Sequence, residues 1–181
     1  MLRNIAPLFL LFILAGCTTP KSFFTVDTRA RIEYKKEPLN QLQFYIDRDV
    51  ELRRELASND VKIKSGKVAF ENGRYVNIIL LKKFTPGVCT DASEGKLKIT
   101  FDTGLDNTLS FGVKKTAKSS DAYQLMADRW VNNIGRVFYN DEMYYIQPAG
   151  ADARLMINKS AVNKSEIDKH VMKGVKIPKS N

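Results

Sequence analysis

Apolar and polar residues alternate along much of the chain, which is typical of half-buried β-strands. Period two runs through residues 24–34, resumes at 42–46 and 50–52, and returns at 96–101. A helical spacing also fits residues 39–50, but the β-favouring Phe44-Tyr45-Ile46 makes strands the preferred interpretation. The dipeptide Asn72-Gly73 between apolar runs predicts a hairpin. Residues 75–81, the most apolar stretch after the leader, are predicted to form a central strand.

The second half of the chain continues this pattern. Residues 109–113 are predicted to form a return strand, 136–139 and 143–146 a hairpin around 140–142, and 154–157 a last strand. Residues 121–134 fit a helix and a strand equally well. Together the pattern predicts a mainly β fold, an antiparallel β-sandwich or small β-barrel. It leaves room for one helix near 121–134 and a short C-terminal helix over 166–173.

The first sixteen residues have the organisation of a secretory signal peptide. One basic residue, Arg3, precedes an apolar run over 5–13, and small residues follow at Ala15 and Gly16. The run is too short for a spanning helix. We therefore expect residues 1–16 to be removed on export.

The tetrad Leu14-Ala15-Gly16-Cys17 resembles the lipobox of bacterial lipoproteins. The resemblance implies that the signal peptidase recognises Leu14, Ala15 and Gly16. It also implies that Cys17 becomes the lipid-attachment residue, with acyl chains such as palmitate that anchor the protein to a membrane. In this family Asp after the cysteine favours the inner membrane, so Thr18 makes the outer membrane the expected location, with the domain facing the periplasm.

The expected mature protein has three parts. Residues 17–22 form the lipidated N-terminus and tether, residues 23–157 a β domain, and residues 158–181 a basic C-terminal tail. A chain of 181 residues, 44% of them apolar and 27% charged, is consistent with one globular domain. The net charge of +9 becomes +8 when the signal peptide takes Arg3 with it. That excess suits anionic headgroups or an acidic partner, although it also fits simple solubility.

Several chemistries are not expected from this composition. The single His170 excludes a multi-histidine metal site, and Cys89 has no second cysteine once Cys17 is acylated, so we expect a buried, inert thiol. The carboxylate pairs Asp47/Asp49 and 141/142 lie in polar surroundings and are predicted to be solvated surface charges. The sequence predicts no enzyme, no cofactor and no nucleic acid partner.

A candidate binding surface combines aromatic residues near one hairpin with lysines of the tail. Its members are Trp130, Tyr139, Tyr144, Tyr145, Lys164, Lys169 and Lys173. Such aromatics can anchor a partner, or they can pack in the core.

Two functional interpretations follow. The first is a non-enzymatic lipoprotein that acts as an anchor or accessory subunit of a larger envelope assembly, such as secretion or transport machinery. The alternative is a ligand-binding module for a lipid, a glycan or a small anionic molecule. A hydrolase with a site assembled from distant carboxylates ranks third.

Overall fold

The computed structural model describes residues 19–57, 66–103, 107–114 and 121–164. Within these residues the chain forms two antiparallel sheets that pack as a β-sandwich, which confirms the predicted mainly β fold. In spatial order, the seven-stranded sheet contains β1 (Lys21–Phe23), β13 (Leu155–Asn158), β2 (Gln43–Ile46), β6 (Pro86–Ser93), β7 (Lys96–Thr100), β8 (Thr108–Gly112) and β9 (Gln124–Leu125). The six-stranded sheet contains β10 (Arg129–Val131), β11 (Ile134–Tyr139), β12 (Glu142–Ile146), β3 (Val50–Leu56), β5 (Arg74–Leu81) and β4 (Lys67–Glu71).

Tight turns with positive φ connect the hairpins of the six-stranded sheet. The predicted Asn72-Gly73 turn joins β4 to β5, with φ of 49° and 78°. Asn140 and Asp141, at 56° and 63°, join β11 to β12, as the sequence predicted for that hairpin. A third turn, with Asn132 at 50°, joins β10 to β11 and was not predicted. Asparagine tolerates this left-handed region, so the residues within each turn are themselves sufficient to favour its conformation.

The predicted strand over 24–34 is wrong, because helix α1 occupies Val26–Tyr34. Thr25 caps the helix, since its Oγ1 accepts a hydrogen bond from the backbone of Thr28 at 3.1 Å. Thr28 and Ile32, four residues apart, both face the interior. Two ion pairs with the same spacing also stabilise the helix, Asp27–Arg31 at 2.8 Å and Arg29–Glu33 at 2.7 Å. The alternation in this segment therefore does not reflect a strand.

Residues 121–134 form strands, so the helical alternative for this segment is wrong. β9 and β10 lie here, and Leu125 is fully buried. Backbone pairing with distant segments explains the extended conformation: Tyr123 N donates to Phe24 O at 2.9 Å, and Leu125 N to Ala153 O at 2.7 Å. These partners lie far away in sequence, where a local pattern gives no indication of them.

The first and last strands of the described chain pair with each other. β1 begins at Lys21 and pairs with β13, which ends at Asn158. A short C-terminal helix, α2 (Lys159–Lys164), follows directly; the predicted helix over 166–173 lies outside the described residues. Two 3₁₀ helices, Leu39–Gln41 and Pro148–Gly150, complete the elements of the described ranges.

The core lies between the two sheets and is continuous from one to the other. Phe24, Phe44 and Phe111 are fully buried on the side of the seven-stranded sheet, and Leu52 and Ile146 are buried on the other side. Phe24 and Phe44 meet edge to face, with ring centroids 5.1 Å apart. Large side chains thus occupy the space between the sheets. Among the described helices, none combines the length and apolar character that a membrane span requires.

Candidate functional site

The residues predicted for lipid attachment and for the basic tail remain predictions. Leu14, Ala15, Gly16 and Cys17 precede the described part of the chain, and Lys169 and Lys173 follow it. The backbone of Lys164 ends α2. His170 also lies outside the described residues.

Two of the four predicted binding aromatics are core residues. Tyr139 and Tyr144 are 5% and 3% exposed, and their rings meet edge to face. Burial raises the pKa of Tyr139 to about 12. The Tyr144 hydroxyl donates to Asn77 Oδ1 at 2.6 Å. Neither ring can contact a partner, because both strands turn these positions toward the opposing sheet.

The other two aromatics reach the surface to different degrees. Trp130 is half-buried and packs against Gly135, where an added Cβ would lie 2.6 Å from the Trp130 ring. Lys114 Nζ lies 4.8 Å from the centroid of the Trp130 ring. Tyr145 is 40% exposed on the outer face of the six-stranded sheet, where it pairs with Arg53 of β3.

Tyr145 belongs to a broad groove on that outer face, which we call the Arg–Glu groove. The groove has a volume of about 1080 Å³ and is open to solvent. Its apolar lining consists of Val76, Ile134, Met143 and Tyr145. Ile134, Met143 and Tyr145 are each between 37% and 40% exposed, although they lie in regular strands. The groove therefore presents apolar surface to the solvent along neighbouring strands.

Three arginines that line the groove are paired with glutamates. Arg53 contacts Glu51 and also binds Glu71 at 2.6 Å. Two further pairs are Arg54–Glu142 at 2.9 Å and Arg74–Glu55 at 2.6 Å. The hydrogen bond to Glu51 raises the pKa of Arg53, which keeps the guanidinium charged. Charge is thus already matched within the groove.

The sequence did not identify this groove as a site. Its charged members Arg53, Arg54 and Glu55 are consecutive on β3, and charged residues are common on any solvated strand face. Most of the groove forms because outer-face residues of β3, β4, β5, β11 and β12 are brought together by the pairing register. Arg54 and Glu142 also line it, although strand alternation places them on the Tyr144 side of the sheet. The sequence had placed one groove residue, Tyr145, in the candidate binding surface, on the basis of its aromatic side chain.

The predicted solvated pair Asp47/Asp49 is only half correct. The Asp47 side chain is 7% exposed and accepts hydrogen bonds from Arg154, at 2.7 Å from the backbone N and 3.1 Å from Nε. Asp47 therefore holds β13 beside β2. Asp49 is exposed, and the backbone hydrogen bond from Lys83 lowers its pKa.

Glu142 of the second predicted pair is the groove residue that binds Arg54, so it is not a free surface charge. Its neighbour Asp141 occupies the β11–β12 turn. In the described ranges, His, Cys, Asp and Glu form no group of three that could hold a metal ion.

Cys89 is buried, as predicted. Its side chain is 3% exposed, and Sγ donates to Asp91 O at 3.3 Å. Burial raises the pKa of the thiol, so little thiolate forms at neutral pH. This environment favours a structural cysteine over a nucleophile.

No protein family model, curated protein or solved structure matches this chain. The candidate site consequently has to be interpreted from its own geometry.

Proposed function

We propose that this protein is a lipid-anchored envelope lipoprotein that works without catalysis, as an accessory subunit of a larger assembly. In this proposal the Cys17 lipid holds the chain at the membrane, and the Arg–Glu groove binds another envelope protein. The observation that carries the second part is the exposed apolar strip of Ile134, Met143 and Tyr145 inside a border of paired charges.

The composition of the groove supports a protein as the occupant. Tyrosine, methionine and arginine are enriched in protein interfaces, where an apolar centre lies within a polar rim. Tyr145 and Met143 belong to the apolar strip, and the pairs Arg53–Glu71 and Arg74–Glu55 lie on the same face of the sheet. A partner that covers the groove keeps these ion pairs intact and buries the apolar strip.

The same features argue against a small ligand in the groove. Small-molecule sites enclose most of the ligand surface, whereas this groove is wide and open. Arg53 and Arg74 already bind glutamates, so their charge is not available to an anionic ligand without breaking those pairs. A protein partner is therefore the better fit.

The test is a pull-down of the tagged full-length protein from its own membranes in mild detergent, followed by native mass spectrometry. We expect a stoichiometric protein partner with the wild-type chain and with Tyr34→Ala, and loss of that partner with Tyr145→Ala. Tyr34 is the matched control, because it is 73% exposed on α1, away from the groove.

Three outcomes would contradict the proposal. A partner retained by Tyr145→Ala would place the interface elsewhere, and a lone chain that carries a small molecule would favour the ligand-binding alternative. Equal membrane association of wild type and Cys17→Ala would remove the lipid anchor.

A further inference from the structure

A second surface combines aromatic and basic side chains beside the N-terminus. We call it the tether-side surface and define it as Lys21, Phe23, Tyr45, Lys83, Phe84 and Arg154. Lys21 and Phe23 lie on β1, Tyr45 lies on β2, and Phe84 lies in the turn between β5 and β6. The β1–β13–β2 register places Phe23 and Tyr45 on the outer face of the seven-stranded sheet.

The members of this surface contact one another. Lys21 Nζ lies 4.4 Å from the Tyr45 ring centroid and 5.3 Å from that of Phe84. Lys83 Nζ lies 4.8 Å from the Phe84 centroid, on the same turn. Arg154 lies 3.8 Å from the ring centroid of Phe23. These contacts form two groups, one around Lys21 and one of Arg154 with Phe23, and the strand register places both groups on the same side of the sheet.

Phe84 is exposed, and its backbone conformation is strained. Its φ is +65°, a conformation that bulky residues rarely adopt, and its side chain is 47% exposed. The turn is held by Phe84 N, which donates to Ile46 O at 2.8 Å, and by Thr85 N, which donates to Lys82 O at 3.1 Å. Strained backbone conformations are common at binding sites, and this one presents an exposed phenylalanine ring.

The charge around the patch is predominantly positive. Its cations are Lys21, Arg48, Lys82, Lys83 and Arg154, and its carboxylates are Asp47 and Asp49. Asp47 is bound by Arg48 and Arg154, and Asp49 by Lys82. Lys21 and Lys83 face aromatic rings instead of carboxylates in their described contacts.

The short tether limits how far this surface can lie from the membrane. Four residue steps separate Cys17 from Lys21, the first residue of β1. At full extension they span no more than about 14 Å. If Cys17 carries lipid, β1 and its neighbours must lie at the bilayer surface.

We infer that the tether-side surface docks on the phospholipid bilayer that holds Cys17, with Phe23 and Phe84 in the interface and Lys21 and Lys83 on anionic headgroups. Aromatic rings and lysine stems suit the boundary between headgroups and acyl chains. This inference rests on the proposed lipid anchor. It adds that the domain has a fixed orientation on the membrane.

The test uses full-length Phe84→Trp protein, purified with its acyl chains and reconstituted into vesicles of phosphatidylcholine and phosphatidylglycerol with brominated acyl chains. A ring buried about 5–10 Å into the boundary between headgroups and acyl chains lies near the bromine atoms, which quench tryptophan fluorescence. We therefore expect the emission from Trp at position 84 to fall at least about twofold relative to vesicles without bromine. The wild type, which contains Trp130, supplies the background. Phe138→Trp is the matched control, since Phe138 is exposed on the six-stranded sheet.

A charge variant adds a second readout. Lys21→Gln with Lys83→Gln should weaken the contact roughly fivefold per lysine and restore emission from position 84. The control pair Lys96→Gln with Lys98→Gln removes two exposed lysines from β7 of the same sheet and should leave the quenching intact. If Phe84→Trp does not fold, Phe23→Trp takes its place.

The possible outcomes distinguish a failure of the docking surface from a failure of the proposed lipid anchor. Acylated protein that floats with the vesicles but shows no quenching at position 84, or equal quenching at 138, would overturn the docking surface and leave the anchor. Protein without acyl mass at Cys17 would overturn both.

Discussion

The Arg–Glu groove and the tether-side surface both expose aromatic and charged side chains, but they arrange them differently. In the groove each lining arginine binds a glutamate, and exposed apolar side chains line the same groove. At the tether-side surface Lys21 and Lys83 lie over aromatic rings. Matched charge suits another folded protein, whereas unmatched positive charge suits an anionic lipid surface.

This difference shows that one small domain can place the proposed protein contact and the proposed membrane contact on separate surfaces. The groove lies on the outer face of the six-stranded sheet, and the tether-side surface lies on the seven-stranded sheet and the turn that leads into it. The two surfaces share no residue. A single substitution can therefore affect one contact and leave the other, which makes the comparison testable.

The largest expected effect is on partner binding through the groove. Tyr145→Ala should weaken the partner complex by about 2 kcal/mol or more, roughly thirtyfold in Kd, because an aromatic side chain at an interface centre acts as a hot spot. Phe23→Ala should leave that Kd unchanged. Titration of the captured partner onto both variants measures the contrast, and equal weakening by the two substitutions would merge the two surfaces into one.

The next effect concerns the support beneath the groove. Tyr144→Phe removes the 2.6 Å hydrogen bond to buried Asn77 and should lower the free energy of unfolding by about 1–3 kcal/mol. Tyr145→Phe, one position along and exposed, should change it by less than about 0.5 kcal/mol. Urea unfolding of the purified protein gives both values. Similar losses of unfolding free energy for Tyr144→Phe and Tyr145→Phe would contradict the assignment of these two side chains to opposite faces of the sheet.

A smaller effect is expected from the strained turn of the tether-side surface. Phe84→Gly should leave the free energy of unfolding unchanged or raise it by about 1 kcal/mol, because glycine adopts φ of +65° without strain. Vesicle contact at this surface should decrease all the same, which Phe23→Trp quenching in the Phe84→Gly background would detect. A clear loss of stability would instead assign Phe84 a packing role.

The smallest effect is expected from an exposed ion pair of the groove. Arg74→Gln removes the 2.6 Å contact with Glu55. The side chains of both residues are more than 60% exposed. The free energy of unfolding should fall by about 0.5 kcal/mol, and less at high salt. Urea midpoints at low and high salt provide the measurement. A loss that salt does not reduce would show that Arg74 contributes mainly by packing.

Local chemistry in the sequence was sufficient to predict two of the hairpin turns and the burial of Cys89. Asn72-Gly73 and the turn at 140–141 need positive φ, which these residue types accept in isolation, so the turns were predictable. The same type of reasoning failed at 26–34. There the Thr25 cap and helical ion pairs determine the conformation, and the apparent alternation misled.

Which face of a strand is buried was not predictable from the hairpin itself. Tyr144 and Tyr145 are adjacent and chemically identical, yet one is 3% exposed and the other 40%. Alternation guarantees that they point to opposite sides of the sheet. Only the packing of the second sheet selects the side that becomes the core.

By itself, the sequence determined the β-rich fold class, the turns at 72–73 and 140–141 and the expectation of a lipid anchor, since each depends on neighbours within a few residues. The tertiary structure decided the candidate surfaces. Arg53 lies opposite Tyr145 through strand register, and Lys21 lies beside the Phe84 ring although the two are far apart in sequence. Such contacts join segments far apart in the chain, and their free energy depends on the simultaneous packing of both sheets, which no short pattern contains.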